Sequence, residues 1–254
     1  MSRGKKRSRS SRHEAERVRR VKLGLVGVAA LVAAGLAVVA MLPSKSASSY
    51  VPPTSAPTFE TVDSRPVAVF LGDSYTQGTG ASKPAAQWTS LVSANEGWRE
   101  ENLGRGGTGF LATSTFQGCG LEFCPNYGAM IPDAVFTQPS VLVISGGQND
   151  FNTFVTSRQS VVEAINSTYA AARAAFPDLR IICVGPSTPN DVDPDFIAFD
   201  QTVHNAATSV GADYVSLIAP PVIEKSMVLF DGGHVDDAGH AAIAERVIAG
   251  IGAG

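Results

Sequence analysis

The 254 residues carry a formal net charge of −3, which averages two opposite materials. Residues 1–22 hold ten Lys/Arg against Glu14 and Glu16, a balance of +8, while the remainder holds 10 basic and 21 acidic residues, a balance of −11. The acidic part would repel phosphate, which argues against a nucleic-acid partner, and 44% hydrophobic residues exclude a chain disordered along its length.

In chain order, the basic tail comes first. Residues 23–42 follow, twenty without a charge, long enough as a helix to cross a hydrocarbon core. The basic flank on their N-terminal side predicts a cytoplasmic N-terminus, meeting anionic lipid, with the rest outside. An uncleaved transmembrane anchor is the expected reading. A cleaved signal peptide is the alternative, weakened by the length of the apolar run and the lack of a convincing A-x-A site. Residues 43–65 are rich in Pro, Ser and Thr and read as a linker.

From Pro66 onward strand and helix signals alternate. Apolar runs predict strands at Val67–Leu71, Val141–Ser145, Arg180–Val184 and Asp213–Leu217, with a weaker one at Arg99–Leu103, where Glu100 and Glu101 suit an edge. Helical spacing predicts helices over 84–96, 154–175, 195–209 and 237–251. The alternation predicts one α/β domain over 66–254 with a parallel sheet of about five strands covered on both faces. Cys119 and Cys124, in the loop GCGLEFC, are expected to form a disulfide in an exported domain. Cys183 reads as a buried free thiol.

Four polar loops follow predicted strands, and in a parallel sheet all of them fall on the carboxyl edge, where ligands sit. They are Gly72-Asp73-Ser74-Tyr75, Gly104-Arg105-Gly106-Gly107, Gly147-Gln148-Asn149-Asp150 and Asp231-Gly232-Gly233-His234. Ser74, between strand and helix, can be a nucleophile if a base is near, although a helix cap is the simpler reading of it alone. His234 is the best base of the four histidines, because Asp231 three residues earlier can hold its Nδ1 and leave Nε2 for a serine. His13 lies in the tail, His204 reads as structural, and His240 as a cap or packing residue. A metal set of His234, Asp236, Asp237 and His240 is disfavoured, since the two acids suit the start of the last helix. Gly107 and Asn149, with the Ser74 N–H, can supply oxyanion donors. Glycines 78, 80, 106, 107 and 109 suggest mobile loops around the site.

These blocks, in this order, resemble those of the SGNH, or GDSL-type, hydrolases over essentially all of 66–254. Gly72-Asp73-Ser74 resembles the nucleophile block, Asn102 to Gly107 the second, Gly147 to Asp150 the GxND block and Asp231 to His234 the DxxH block. The resemblance implies a flavodoxin-like three-layer α/β/α sandwich, with Ser74 as nucleophile, His234 as base and acid, and Asp231 as its orienting carboxylate. It implies the Ser74 and Gly107 amides and the Asn149 side chain as the oxyanion hole. Tyr75 departs from the Leu or Ile common after the serine, and Val235 from the Pro or Leu common after the histidine. No G-x-S-x-G elbow occurs, which disfavours a conventional α/β-hydrolase. The reading is thus a membrane-anchored extracytoplasmic serine esterase acting on a small-molecule or envelope ester, without metal or organic cofactor, with a slight lean to short acyl groups. The loop 108–130 looks like an elaboration that could form part of an acyl pocket. The rivals are an acyltransferase to a sugar hydroxyl and a catalytically silent envelope-binding module.

Overall fold

The computed structural model describes residues 63–252. The basic tail, the apolar segment 23–42 and nearly all of the linker lie outside the described residues. Among the described residues no helix is long and apolar enough to cross a membrane. The strands are β1 (Val67–Gly72), β2 (Arg99–Asn102), β3 (Val141–Ser145), β4 (Arg180–Val184) and β5 (Asp213–Val215). The helices are α1 (Ser74–Gln77), α2 (Trp88–Glu96), α3 (Phe116–Cys119), α4 (Tyr127–Phe136), α5 (Phe151–Thr156), α6 (Arg158–Ala175), α7 (Pro194–Ser209) and α8 (Asp237–Ile251).

All strand pairs are parallel, in the order β2-β1-β3-β4-β5. Side chains alternate across a strand, so each apolar run must find cover on two faces. Val69, Leu71, Leu142, Ile144, Ile181 and Cys183 pack under α4, α6 and α7. Ala68, Phe70, Val143, Ile182 and Val184 pack under α2 and α8. The result is the expected three-layer sandwich. β2 is one of the two edge strands, half-buried along its length, which is why its Glu100 and Glu101 are tolerated. Before β1, Arg65 Nη1 donates to the Trp98 carbonyl (3.1 Å) and the Arg99 N–H donates to the Pro66 carbonyl (2.8 Å). The chain therefore joins the sheet at its amino edge.

Several expected elements change in detail. The helix expected over 84–96 is a 3-10 turn at Pro84–Ala86 followed by α2. The helix expected over 154–175 is two, α5 and α6, because Ser157 leaves helical geometry (φ −145, ψ 55). β5 stops at Val215 rather than Leu217, and the Ile218 N–H turns back to Ser216 Oγ (3.2 Å). The loop expected over 108–130 holds α3 and the start of α4. Although Gly128 and Pro132 are poor helix formers, Asn126 caps α4 by accepting from the Ala129 N–H, and Tyr127, Met130, Ile131 and Ala134 bury one face. Asp193 and Asp236 cap α7 and α8 in the same way.

Leu142 lies in the central strand with no exposed surface. Leu142→Ala is expected to lower unfolding free energy by about 2–5 kcal/mol, the range for a buried Leu cut to Ala, measured by equilibrium urea unfolding.

Candidate active site

Chain connection reverses direction between β1 and β3: after β1 it goes out to β2, then returns to the other side of β1. Such a switch point leaves a crevice at the carboxyl ends of the two strands. Ser74 follows β1 there as the first residue of α1, with Asp73 as its cap. The Asp73 carboxylate takes the Tyr75 N–H (3.0 Å). The Ser74 N–H has no partner among the described residues.

His234 reaches Ser74 from a distant segment. Asp231 Oδ1 accepts from the N–H groups of Gly233 (2.9 Å) and His234 (3.0 Å), which folds the loop into a tight turn. Its Oδ2 lies 2.6 Å from His234 Nδ1, and His234 Nε2 lies 2.9 Å from Ser74 Oγ. A carboxylate only accepts, so Nδ1 carries the proton and the Nε2 lone pair faces the serine hydroxyl. Those hydrogen bonds, the one from His234 first, hold the Asp231 carboxyl down to about 2. Tyr75, the departure after the serine, donates its hydroxyl to the Gly233 carbonyl (2.9 Å). It thus ties α1 to the histidine loop, a larger role than packing. Gly80 backs the same loop: a side chain there would collide with the Val235 carbonyl. These glycines serve close approach more than mobility.

The loop after β2 stands beside Ser74, because the Arg105 N–H bonds the Gly72 carbonyl (2.8 Å). Within 104–108 most amides are engaged. Gly104 donates to Asn102 Oδ1 (2.9 Å), Gly106 to Gln77 Oε1 (2.7 Å) and Thr108 to the Arg105 carbonyl (3.2 Å). The Gly107 N–H, in a left-handed conformation (φ 76), has no partner among the described residues. Asn149 follows β3 and spends one amide hydrogen on the Thr108 carbonyl (2.9 Å), which leaves a second. Gly107 is thus the amide of that glycine run left open, and Asn149 is linked to its neighbour.

Two buried carboxylates that sequence reasoning left without a role hold these loops. Asp73 is fully buried; desolvation pushes its carboxyl up to about 6, against the N–H groups of Tyr75 and Gly147 and the Tyr127 hydroxyl (3.1 Å) that pull it down. Asp150 gathers the N–H groups of Phe110 (2.6 Å), Leu111 (3.2 Å) and Ala112 (2.7 Å), and burial raises its carboxyl too. Both sit inside the quoted motif blocks, which was the available signal. Burial, which gives them their role, depends on the rest of the fold.

Cys119 and Cys124 form the expected disulfide. Ser114 and Cys124 pair as an antiparallel bridge, and the Gly118 backbone packs on Gly106. The stapled loop, with Phe116, Leu121 and Phe123 exposed, therefore flanks the Gly107 side of the site. Other candidates are engaged elsewhere. His240 is buried, accepts from the Trp88 N–H (3.4 Å) and reaches the Thr79 carbonyl (3.2 Å). Asp236 caps α8 and Asp237 binds Ser82. His204 packs on Tyr214, with ring centres 4.5 Å apart. Cys183 is a free buried thiol, raised to about 12 by desolvation.

Comparison with known proteins places the chain in a family. Residues 70–242 match the GDSL-like lipase/acylhydrolase family, more than half of the chain. A GDSL lipase of Mycobacterium tuberculosis is 27% identical over 191 residues, covering 72% of this chain and 79% of that protein. The crystal structure of TesA superposes with a TM-score of 0.58 at 19% identity, over 73% of this chain and 97% of that one. A salicylyl-acyltransferase, SsfX3, from a tetracycline biosynthetic pathway gives 0.56 at 17% identity, over 76% of this chain and 56% of that one. At those identities the two structures speak to fold alone. The family match does more: this chain belongs to the GDSL-like lipase/acylhydrolase family and is an esterase of the SGNH type.

Proposed function

We propose that the protein is a serine hydrolase that cleaves carboxylic esters through an acyl-serine, held outside the cytoplasm by an N-terminal membrane anchor. One observation carries the chemistry: the continuous line from Asp231 Oδ2 through His234 to Ser74 Oγ, with contacts of 2.6 and 2.9 Å. Ser74 Oγ attacks the ester carbonyl while His234 Nε2 takes its proton. The oxyanion is received by the free amides of Ser74 and Gly107 and the second Asn149 hydrogen. The carbonyl–alkoxy bond then breaks, and His234 returns the proton to the leaving alcohol. Water, deprotonated by His234, releases the acid and restores Ser74.

Hydrolysis over transfer is favoured by exposure. The Asp231 side chain is 52% and the His234 side chain 27% exposed, so water reaches the site readily. Transfer to a sugar hydroxyl uses the same acyl-serine and is tested by adding an alcohol acceptor. The stapled loop beside Gly107 offers its exposed Phe116, Leu121 and Phe123 to the acyl half of the ester. The location rests on the charge-free run 23–42 behind a basic flank. Such an enzyme meets envelope or environmental esters.

Three outcomes check the reading. Ser74→Ala is expected to cut p-nitrophenyl ester hydrolysis by about 10³-fold or more and to abolish fluorophosphonate labelling, with the acetyl-to-palmitoyl profile of the unaltered protein sizing the acyl pocket. An unlabelled, inactive but folded wild-type protein would sink it. Asp231 stays ionised above about pH 2, so it contributes no titration between pH 4 and 9. Its charge favours the imidazolium. Asp231→Asn leaves the imidazole without its orienting carboxylate, so it should lower kcat/KM by about 10²–10⁴-fold in steady-state ester hydrolysis. Asp150→Asn should release the 110–112 turn and lower kcat by about 10²-fold, the scale of a misplaced oxyanion donor, with Ser74 still present; steady-state kinetics with circular dichroism distinguish this from unfolding.

A further inference from the structure

The loop that carries Gly107 is held from two sides by different means. On the α1 side, Gln77 Oε1 accepts the Gly106 N–H (2.7 Å) and the Arg105 N–H holds the Gly72 carbonyl (2.8 Å). The other side is covered by the segment that the Cys119–Cys124 disulfide closes. A side chain at Gly106 would collide with the Gly118 carbonyl, and the three atoms nearest a side chain at Gly107 would be Ser114 Oγ, Ser114 Cβ and Gly118 Cα. Residues 115–123 have little else to keep them there. Within that stretch Cys119 alone is buried, and α3 is a single turn. Apart from the disulfide, Ser114 and Cys124 pair through two backbone hydrogen bonds (2.9 and 2.8 Å). The base of the excursion is fastened separately, by Asp150 on the amides of 110–112 and by the Tyr127 N–H on the Gly109 carbonyl (2.9 Å).

We propose that the Cys119–Cys124 disulfide positions the Gly107 amide, so that thiol–disulfide exchange sets the rate of ester hydrolysis: fast when the pair is oxidised, slow when it is reduced. The inference rests on the esterase reading and adds regulation of the same site. An oxyanion donor is effective when its N–H is fixed before charge develops. Gly107 has no side chain to anchor it, and its left-handed conformation (φ 76) is one of many open to glycine. Its N–H has no partner among the described residues. Its peptide is therefore fixed by what packs on it, namely Ser114 and Gly118. Without the disulfide, a stretch lacking any other buried residue opens locally, while Asp150 and Tyr127 keep the base of the excursion in place. The exchange needs a dithiol reductant. Its thiolate attacks Cys119 Sγ, since Cys119 retains 7% exposure and Cys124 none. The S–S bond breaks, Cys124 leaves as a thiolate and takes a proton, and the second thiolate of the reductant displaces Cys119 from the mixed disulfide. The protein ends with two thiols and the reductant with one disulfide; a small-molecule disulfide reverses the sequence. In a reducing compartment the pair stays as thiols, and full activity follows transfer to an oxidising one.

The test uses the full-length protein in detergent, oxidised or treated with dithiothreitol, beside the double variant Cys119→Ala/Cys124→Ala. Thiol counting in denaturant assigns the state: the chain has three cysteines, so Cys183 alone reacts in the oxidised form and all three in the reduced one. The substrate is p-nitrophenyl acetate, whose acyl group is too short to reach the exposed Phe116, Leu121 and Phe123. In the reduced protein and the double variant, kcat is expected to fall about tenfold with KM unchanged, less than the roughly 10²–10³-fold of a donor removed outright. An aryl trifluoromethyl ketone adds to Ser74 Oγ and puts an oxyanion in the same place, so its inhibition constant should rise by the same factor. Oxidised glutathione should restore the reduced wild type and leave the variant slow. Full kcat in the double variant would overturn the proposal. So would a rise in KM confined to p-nitrophenyl octanoate, which would make the segment an acyl wall, or a loss of kcat accompanied by loss of the cooperative thermal transition, which would make the disulfide a brace for the whole domain. A native protein that still counts one thiol after dithiothreitol would overturn the switch. If the oxidised protein shows no Ser74-dependent hydrolysis of p-nitrophenyl acetate, the esterase reading itself fails, a result separate from all of these.

Discussion

Two carboxylates withdrawn from water hold the active edge in shape. Asp73 and Asp150 are almost wholly buried, and an isolated buried charge would be too costly to keep. Each is instead surrounded by donors from neighbouring loops. Asp73 joins the start of α1 to Gly147 and Tyr127, and Asp150 collects three successive amides from 110–112. The loops after β1, β2 and β3 are thereby fixed against one another before any substrate arrives. Close approach to these acids also accounts for Gly146 and Gly109, where a side chain would collide with Asp73 and Asp150.

The third carboxylate is handled in the opposite way. Asp231 is half exposed and held low by the groups it orders, the imidazole first. Burial raises the first two carboxyls; hydrogen bonds, the one from His234 first, keep the third low and charged. Tyr75 connects the two regimes. Its ring is buried beside α1 while its hydroxyl reaches the Gly233 carbonyl, so the residue next to Ser74 helps locate a histidine 160 positions beyond that serine.

Much of this was legible in the sequence, for identifiable reasons. Continuous apolar runs such as Val141–Ser145 have few alternatives to a buried parallel strand, and Glu100 and Glu101 mark an edge. Ser74, Asp231 and His234 stood out because glycine-rich polar loops after strands must share one edge. Gly107 was singled out by its place in the block that begins at Asn102, and the hydrogen bonds of Gly104, Gly106 and Thr108 leave its amide open. α4 was hidden by Gly128 and Pro132, whose local preference was overruled by the burial of Tyr127, Met130 and Ile131. An Asp beside a glycine reads as a solvated turn, so Asp73 and Asp150 showed their role only when neighbours distant in sequence closed over them.

The junction before β1 has a practical consequence. Arg65 and Pro66 fasten the incoming chain to Trp98 and Arg99 at the amino edge of the sheet, whereas Ser74 and His234 stand at the carboxyl edge. The described chain therefore enters the sheet on the far side from Ser74 and His234. A bead, a fusion partner or a surface coupled directly at residue 63 would leave those two residues pointing outward, toward bulky esters that cannot slip beneath an immobilised protein.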